Sequence, residues 1–298
     1  MLVAVTGATG FVGRHIVRQL AERGHRVRAL ARDPARAPAQ AGAAVELVRG
    51  DLADRGALRA LAAGADAVVH LVGIIAERGA ATYSAVQVEG TRSVLDAARA
   101  AGVRRFAHMS AVGARDEPGA TPYHRTKARA EALVRASGLS AAVFRPSFIS
   151  GPENIPIRVL ARLHRLLPAV PVFGDGSFPV QPVWIGDVAL AFALAVERPE
   201  LTGDYELGGP DRVTYAEFVR AIGRASGHPR PLVHVPLGVM RVAARVFDLV
   251  PGAPITSDQL QMLVEGSATP ANAIASVFGI RPVPFEAGLR RYLAVASS

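Results

Sequence analysis

The sequence contains no cysteine, only one tryptophan, and a single lysine, Lys127, among its 34 lysine and arginine residues. The absence of cysteine excludes disulfides and thiolate metal sites, and the eight histidines show no ligand spacing, so no metal site is expected. No apolar run reaches the ~18 residues that a membrane-spanning helix needs. The first strand-like run begins at Leu2, which leaves no room for a signal peptide, so we expect a cytoplasmic protein.

The scarcity of lysine draws attention to Lys127. Arginine supplies nearly all of the positive charge, and the net charge is +9. Lysine differs from arginine in carrying a compact ammonium group whose pKa is readily adjusted by its surroundings. Lys127 is therefore either retained for its chemistry or retained by chance. The arginines are dispersed along the chain, so no nucleic-acid partner is expected.

Short apolar runs alternate with amphipathic segments through the first half of the chain. Alternating strands and helices predict an α/β fold with a Rossmann-type, doubly wound parallel sheet. We assign this dinucleotide-binding domain to residues 1–150, with return elements at about 181–208, and a smaller, mixed C-terminal lobe for substrate or partner to residues 151–180 and 209–298. The predicted strands are 2–5, 26–31, 45–48, 67–72, 105–109 and 141–144, and the predicted helices are 11–23, 58–63, 82–101 and 123–137. For the last helix, Thr121 is the expected N-cap and Pro122 the first position.

A glycine-rich stretch, Thr6-Gly-Ala-Thr-Gly-Phe-Val-Gly13, follows the first predicted strand and opens the first predicted helix. Glycines at such a junction let the backbone turn tightly and approach a pyrophosphate, whose charge meets the helix N-terminus. Because the stretch stands between a strand and a helix, it predicts dinucleotide binding. The contacts expected here are Gly7, Thr9, Gly10, Phe11, Val12 and Gly13.

The residue after the second predicted strand distinguishes NAD from NADP. Enzymes that use NAD place an acidic residue there to hold the ribose hydroxyls. This chain has Ala31 followed by Arg32, and arginine suits a 2′-phosphate, with Arg14 or Arg36 as further candidates. The sequence therefore favours NADP(H) over NAD(H). Asp51 follows the third strand, where it either accepts a hydrogen bond from the adenine amino group or caps the next turn.

Tyr123 and Lys127 stand four residues apart on one predicted helix and so share a face. We expect the Lys127 charge to lower the pKa of the Tyr123 hydroxyl from about 10, which would make Tyr123 a general acid or base. Ser110, at the end of the fifth predicted strand, would hydrogen-bond the same substrate oxygen. Hydride transfer belongs to the nicotinamide. Other candidate contacts with the dinucleotide follow strand ends or adjoin this set: Leu52, Leu71, Val72, Gly73, Pro146 and Phe148.

The segments that carry these residues resemble the extended or atypical short-chain dehydrogenase/reductases, which belong to the NAD-dependent epimerase/dehydratase superfamily. The resembling segments are TGATGFVG at 6–13, GDL at 50–52, VVHLVG at 68–73, VEGT at 88–91, YHRTK at 123–127 and RPSFISGP at 145–152. The later segments QPVWIGDVA at 181–189 and ELGGP at 206–210 look like the bacterial relatives of the 39-kDa accessory subunit of respiratory complex I.

This resemblance implies that Gly7, Gly10 and Gly13 contact the dinucleotide, and that Ser110, Tyr123 and Lys127 are the catalytic set. It also implies NADPH binding, in a branch where some members are structural and related proteins are linked to quinone metabolism. The family commonly has Asn, which supports a proton relay, at the position of Gln87. The longer amide either still holds a water or leaves the relay incomplete.

Two functions follow as expectations. The first is an NADP(H)-dependent oxidoreductase that transfers hydride to or from a carbonyl or hydroxyl group, with a quinone-like or isoprenoid small molecule bound in a cleft between the lobes. The alternative is a non-catalytic accessory or sensing module that holds NADPH. Residues 237–250 are apolar, with Arg241 and Arg245 on one face, and they form either lobe core or a contact with a membrane surface or another subunit.

Overall fold

The structure of the chain is a computed structural model that describes residues 1–36, 44–248 and 255–293. It divides into two compact units. The first comprises Met1–Pro146 and Val188–Glu206, and the second comprises Ser147–Asp187 and the chain from Leu207 onward. The assignment of the second unit to substrate or partner binding stays a prediction.

The chain contains the following helices and strands. The strands are β1 (Leu2–Thr6), β2 (Arg26–Ala31), β3 (Val45–Arg49), β4 (Ala67–His70), β5 (Arg105–Met109), β6 (Ser140–Pro146), β7 (Ile149–Ser150), β8 (Val170–Phe173), β9 (Pro179–Val180), β10 (Val183–Trp184), β11 (Gly203–Leu207), β12 (Val213–Thr214) and β13 (Leu232–Val235). The helices are α1 (Phe11–Glu22), α2 (Arg55–Ala62), α3 (Gly90–Ala100), α4 (Pro122–Arg135), α5 (Ile155–Leu166), α6 (Ile185–Glu197), α7 (Tyr215–Ala225), α8 (Leu237–Phe247), α9 (Ser257–Glu265), α10 (Ala273–Ser276) and α11 (Phe285–Leu293). A 3-10 turn covers Pro34–Arg36, and a π-helical segment covers Ser84–Glu89.

The first unit is built on a sheet that, in the described part of the chain, has seven strands in the order β11-β6-β5-β4-β1-β2-β3. The pairs from β6 through to β3 are all parallel. The chain runs from β1 outward to β2 and β3 and then returns to β4 on the other side of β1. The predicted Rossmann-type fold is therefore confirmed, with its strand order reversing beside β1, where such folds bind ligands at the carboxyl ends of the strands.

The central strands form because their sequences are apolar on both faces. Every residue of β4 is buried, and Val3 and Val5 of β1 have no exposed surface. Continuous apolar runs of this kind are typical of parallel strands that helices cover on both sides. On one face, Leu58 and Leu61 of α2 join the core cluster around Val68. The sheet thus fixes the positions of the loops that follow its carboxyl ends.

Helix α4 begins as the sequence predicts. The Thr121 side chain accepts a hydrogen bond from the backbone N–H of His124, and Pro122 occupies the first turn. This arrangement satisfies an otherwise unpaired N–H and preorganises the first turn. The predicted N-cap is confirmed, and it fixes where Tyr123 and Lys127 lie along the helix.

Several predicted elements have different bounds in the structure, most of them by one or two residues. The predicted helix 82–101 is interrupted by the π-helical turn Ser84–Glu89 before α3 begins, and the backbone hydrogen bonds of such a turn span five residues instead of four. Helix α2 begins earlier than predicted, at Arg55, because the Asp54 side chain accepts from the backbone N–H of Ala57. Strand β4 ends at His70 rather than residue 72.

The second unit has its own core, in which aromatic side chains pack together. Phe178 and Tyr215 stack with ring centroids 4.9 Å apart, and Phe218 and Phe285 do the same at 4.9 Å. The predicted apolar segment 237–250 forms α8 up to Phe247, and its residues 249–250 lie outside the described part of the chain. Among the described residues, no helix is long and apolar enough to cross a bilayer.

Candidate active site

The glycine-rich loop joins β1 to α1 through three glycines that differ in what they do. Gly7 has φ +77°, a left-handed conformation that glycine adopts without strain. A side chain on Gly13 would place its Cβ only 2.0 Å from the Gly7 carbonyl oxygen, so Gly13 lets α1 pack against the loop. Gly10 is the N-cap of α1 and has no side-chain capping bond, and an added Cβ there would meet only the Gly7 oxygen, at 3.3 Å.

These differences predict separate effects for two substitutions. Gly10→Val leaves the fold intact, because the added side chain projects mainly into open space, but it removes the room that a pyrophosphate needs at the helix N-terminus. We expect a loss of dinucleotide affinity of at least about 100-fold, or about 2.7 kcal/mol. Isothermal titration calorimetry measures the affinity, and circular dichroism checks the fold.

The matched control is Gly238→Val, since Gly238 also has open space around its Cα. It should leave dinucleotide affinity unchanged. Gly13→Ala, in contrast, should destabilise the protein itself by about 1–3 kcal/mol or more through overpacking. If Gly10→Val bound the dinucleotide normally with an intact fold, the loop would be only a turn.

The end of β2 presents an exposed guanidinium. Arg32 is exposed and has no ion pair with any residue that the structure describes. The carboxylate of Asp33, the next residue, accepts from the backbone N–H of Ala35 and so caps its own turn. Arg14 donates to the carbonyls of Thr9 and Gly10 and thereby braces the glycine loop. The side chain of Arg36, the other suggested phosphate partner, lies outside the described part of the structure.

Asp51 follows β3 and closes the turn after it. One carboxylate oxygen, Oδ1, accepts from the backbone N–H groups of Ala53 and Asp54, at 2.9 and 3.2 Å. The turn-capping alternative is thus present in the structure, and adenine binding by Asp51 stays a prediction. Leu52 packs against α3 at Gly90, where an added Cβ would lie 2.5 Å from the Leu52 Cδ1 atom.

The end of β4 lies beside the glycine loop. The backbone N–H of Leu71 donates to the Thr6 carbonyl, and an added Cβ at Gly7 would lie 3.2 Å from the backbone N of Val72. At the end of β6, the Pro146 carbonyl accepts from Val112 N–H. Phe148 belongs to the second unit, where its ring packs edge-on against Phe218 at 5.0 Å. The roles of these residues in dinucleotide binding stay predictions.

Lys127 is almost completely buried, at 3% exposure, and its ammonium donates to the carbonyl oxygen of Met109 at 2.8 Å. Loss of hydration lowers the pKa of Lys127 to about 8, with the Glu131 carboxylate opposing part of that effect. Gly73 stands directly beside it, because a Cβ there would lie 3.0 Å from the ammonium nitrogen. Lys127 therefore joins α4 to the ends of β4 and β5.

The expected lowering of the Tyr123 pKa is wrong for this structure. Desolvation raises the pKa of the Tyr123 hydroxyl to about 12, so the phenol is protonated at neutral pH. The Lys127 ammonium lies 6.0 Å from the centre of the Tyr123 ring and is held by Met109, so its charge does not outweigh the loss of hydration. The Tyr123 ring packs edge-on against Tyr83 at 5.9 Å.

Ser110 follows Met109 directly and is 3% exposed. Its hydroxyl oxygen is buried and has no hydrogen-bond partner among the described residues. Leaving a buried hydroxyl unpaired costs about 1–3 kcal/mol, and such groups call for an explanation. A ligand oxygen at the end of β5 would supply the missing partner.

Sequence reasoning missed a buried hydrogen-bond network behind these residues. The Thr126 hydroxyl donates to Oε1 of Gln87, and Nε2 of Gln87 donates to the Ile74 carbonyl. His70 connects to the network through Thr91, whose hydroxyl donates to the Gln87 carbonyl. The other ring nitrogen of His70 lies 2.6 Å from the Thr6 hydroxyl. No spacing in the sequence indicates these pairings, because all but the Thr91–Gln87 pair join residues that are 13 to 64 positions apart.

The Gln87 side chain is thus engaged with protein at both ends of its amide. Its Oε1 accepts from Thr126, next to Lys127, and its Nε2 donates to the backbone just after Gly73. A role for Gln87 in a proton relay stays a prediction. The geometry shows that this amide braces α4 against the loop after β4.

The residues present fit a nicotinamide dinucleotide. The uncapped N-terminus of α1 and the small residues Gly7 and Gly10 make a cradle that a side chain would fill, and Ser110 offers an unpaired hydroxyl. In sheet order, these positions run from Ser110 after β5, past the glycine loop after β1, to Arg32 after β2. Fold and loop together define a Rossmann-type, nicotinamide-dinucleotide-binding protein.

Comparison with known proteins agrees with this class. Residues 3–208 match the NAD dependent epimerase/dehydratase family. A ceramide reductase of Caulobacter vibrioides is 37% identical over 248 residues, which cover 82% of this chain and 77% of that protein. The mitochondrial NADH dehydrogenase (ubiquinone) 1 alpha subcomplex subunit 9 of Rattus norvegicus is 29% identical over 299 residues, which cover 96% of this chain and 78% of that protein.

A solved structure has the same fold. The UDP-glucose 4-epimerase of Thermus thermophilus in complex with NAD superposes with a TM-score of 0.75 at 24% identity, covering 99% of this chain and 98% of that one. The chain belongs to the NAD dependent epimerase/dehydratase family. The resemblance inferred from the sequence motifs is confirmed, including the similarity to the complex I subunit.

Proposed function

We propose that this protein is an NADP(H)-dependent reductase that converts a carbonyl group of an apolar, quinone-like or isoprenoid-like small molecule to a hydroxyl group. The observation that carries the proposal is the buried Lys127 ammonium, which donates to the carbonyl of Met109 at the end of β5, together with the unpaired hydroxyl of Ser110, the next residue. A charge buried at such cost, beside an unsatisfied donor, is typical of an active site. The ceramide reductase relative supports an apolar substrate.

The protonation state of Tyr123 supports the direction of reduction. With a pKa of about 12, its phenol is a proton donor at neutral pH and can give its proton to a carbonyl oxygen that gains negative charge. The Ser110 hydroxyl would donate to the same oxygen, and the Lys127 charge would stabilise the phenolate that remains. A bound nicotinamide supplies the hydride. Hydride and proton together convert the ketone to the alcohol.

NADP(H) is the proposed cofactor because of Arg32. Its guanidinium is exposed at the end of β2, with no ion pair among the described residues, and the neighbouring Asp33 carboxylate is engaged in its own turn. Arginine pairs well with phosphate through two parallel hydrogen bonds. An NAD enzyme would place a carboxylate here for the ribose hydroxyls.

Arg32→Asp tests this choice of cofactor. The substitution replaces a phosphate partner with a like charge, so NADPH affinity should fall by about 10- to 100-fold, while NADH affinity should change little. Calorimetric titration of both cofactors measures the two effects. Arg26→Asp, an equal charge change at the opposite end of β2, should alter neither affinity. Equal losses for NADPH and NADH in Arg32→Asp would show that Arg32 does not read the 2′-phosphate.

A second candidate function is a non-catalytic module that holds NADPH. The similarity to a complex I subunit over 96% of this chain supports it, and so does the engagement of both ends of the Gln87 amide with protein. The two candidates differ in one outcome. The module binds NADPH without oxidising it in the presence of any carbonyl compound, whereas the reductase turns it over.

A further inference from the structure

Exposed apolar side chains are concentrated in two segments of the second unit. Among the described residues, twelve large apolar side chains are exposed, and eight of them belong to residues 154–174 and 229–247. These eight are Ile155, Val159, Leu166, Leu167, Val233, Val239, Val242 and Val246. Clustered exposure of this kind marks interaction surfaces, whereas scattered single side chains need no explanation.

The same two segments are strongly basic. They contain six arginines and no aspartate or glutamate, so they carry two thirds of the net charge of +9 in 40 residues. Glu153, Asp175 and Asp248 are the carboxylates that border the two segments directly in the sequence. The arginines are Arg158, Arg162, Arg165, Arg230, Arg241 and Arg245.

The two segments meet at a pair of strands. Strands β8 and β13 pair in parallel, and the backbone N–H of Gly174 donates to Val235 at 2.8 Å. At the other end of the pair, Nε of Arg230 donates to the His164 carbonyl at 3.1 Å. Helix α5 precedes β8 and α8 follows β13. We call residues 154–174 and 229–247 together the basic face.

Charged and apolar side chains intermingle on both helices. On α5, Arg158 and Arg162 line a surface groove of about 440 Å³ together with Ile155 and Val159. On α8, the only buried residue is Ala244. At 3.6 residues per turn, the exposed side chains of Val242 and Val246 point away from Ala244, and Arg241 and Arg245 flank them.

We propose that the basic face docks on an anionic phospholipid bilayer. Helices with a stripe of apolar side chains beside arginines lie in the plane of the membrane interface, where the apolar side chains enter the acyl boundary and the arginines meet lipid phosphates. The arginines at 158, 162, 165, 241 and 245 have no carboxylate partner in the described part of the chain, which leaves them available for phosphate. A second copy of this chain would not bind well through the same face, because two basic faces without carboxylates repel each other.

Flotation of the purified protein with lipid vesicles tests the proposal. We expect binding to phosphatidylcholine vesicles that contain phosphatidylglycerol, much weaker binding to phosphatidylcholine alone, and weakening as salt is raised. Arg241→Gln/Arg245→Gln should lower the partition coefficient by roughly 25-fold, because each arginine contributes about fivefold near an anionic surface. Val242→Gln/Val246→Gln should lower it as well, without changing the charge.

The matched control is Arg55→Gln/Arg59→Gln. Both arginines are exposed on α2, four residues apart like Arg241 and Arg245, but they lie in the first unit. Loss of binding in the α8 variants with retention in this control supports the proposal. Three results would each overturn it: equal losses of vesicle binding in both arginine variants, unchanged binding of Val242→Gln/Val246→Gln, or no flotation with anionic vesicles. Concentration-dependent self-association in sedimentation velocity that disappears in Val242→Gln/Val246→Gln would also overturn it, since the face would then join two copies.

Discussion

Tyr123→Phe is expected to lower carbonyl-dependent oxidation of NADPH by about 100- to 10,000-fold, the usual contribution of a general acid. The substitution removes only the hydroxyl group and leaves the ring in its edge-on contact with Tyr83. Dinucleotide affinity should therefore stay within a few-fold of the native value. The loss of NADPH absorbance measures turnover, and titration calorimetry measures binding.

Tyr83→Phe is the matched control, since its ring centre is 5.9 Å from that of Tyr123 and its hydroxyl donates to the Ile75 carbonyl. This substitution removes the same atom from the neighbouring ring. Turnover should stay within about tenfold of the native value, because only one hydrogen bond of ordinary strength to the backbone is broken. Similar losses in both variants would mean that Tyr123 acts through packing and not as the proton donor.

Lys127→Met is expected to abolish most of the turnover and at the same time stabilise the protein. The substitution removes the positive charge that would stabilise the Tyr123 phenolate after proton transfer, so we expect a loss of about 100-fold or more. In the native protein, turnover should fall as the pH rises through about 8, where Lys127 loses its proton. Lys127→Arg should not restore activity, because the forked guanidinium is larger than the space beside Gly73.

The stabilising effect follows from the lowered pKa. Between pH 8 and 10.5 the folded state loses the Lys127 proton before the unfolded state does, so native stability rises with pH through that range. Below pH 8 the buried Lys127 charge lowers the free energy of unfolding by about 3 kcal/mol. Lys127→Met should therefore raise the free energy of unfolding at pH 7 by about 1–3 kcal/mol. The lost hydrogen bond to Met109 reduces this gain. The gain should vanish above pH 10.5, where the lysine is neutral in both states.

Urea unfolding of both proteins at pH 7 and pH 10.5 measures this difference. Tyr123→Phe is a suitable control at pH 7, because the raised pKa of Tyr123 changes stability only above about pH 10. A Lys127→Met protein that is less stable than the native one at pH 7 would indicate that Lys127 serves the fold and not the chemistry.

The sheet and the positions after its strands could be predicted from the sequence because they depend on local patterns. Continuous apolar runs identify β1 and β4, and Thr121 with Pro122 identifies the start of α4. Once the strands are parallel, Ser110 and the glycine loop must lie at the same edge of the sheet. These inferences need no knowledge of distant contacts.

The remaining features depend on contacts between distant residues. The raised pKa of Tyr123 follows from burial, which no spacing on α4 reveals. The network of Gln87, Thr126, His70 and Thr6 joins residues up to 64 positions apart in the chain through single hydrogen bonds. The π-helical turn at Ser84–Glu89 also escaped prediction, because its residues have the same apolar spacing as an ordinary helix.

The most direct test of the proposed reductase uses NADPH that carries deuterium at the transferable position of the nicotinamide. The native protein and Tyr123→Phe are each incubated with this cofactor and a series of apolar ketones, and the products are analysed by mass spectrometry. We predict deuterium on the carbinol carbon of at least one product with the native protein and almost none with Tyr123→Phe. NADPH that binds tightly and stays unoxidised with every carbonyl compound would contradict the account and identify the protein as an NADPH-holding module.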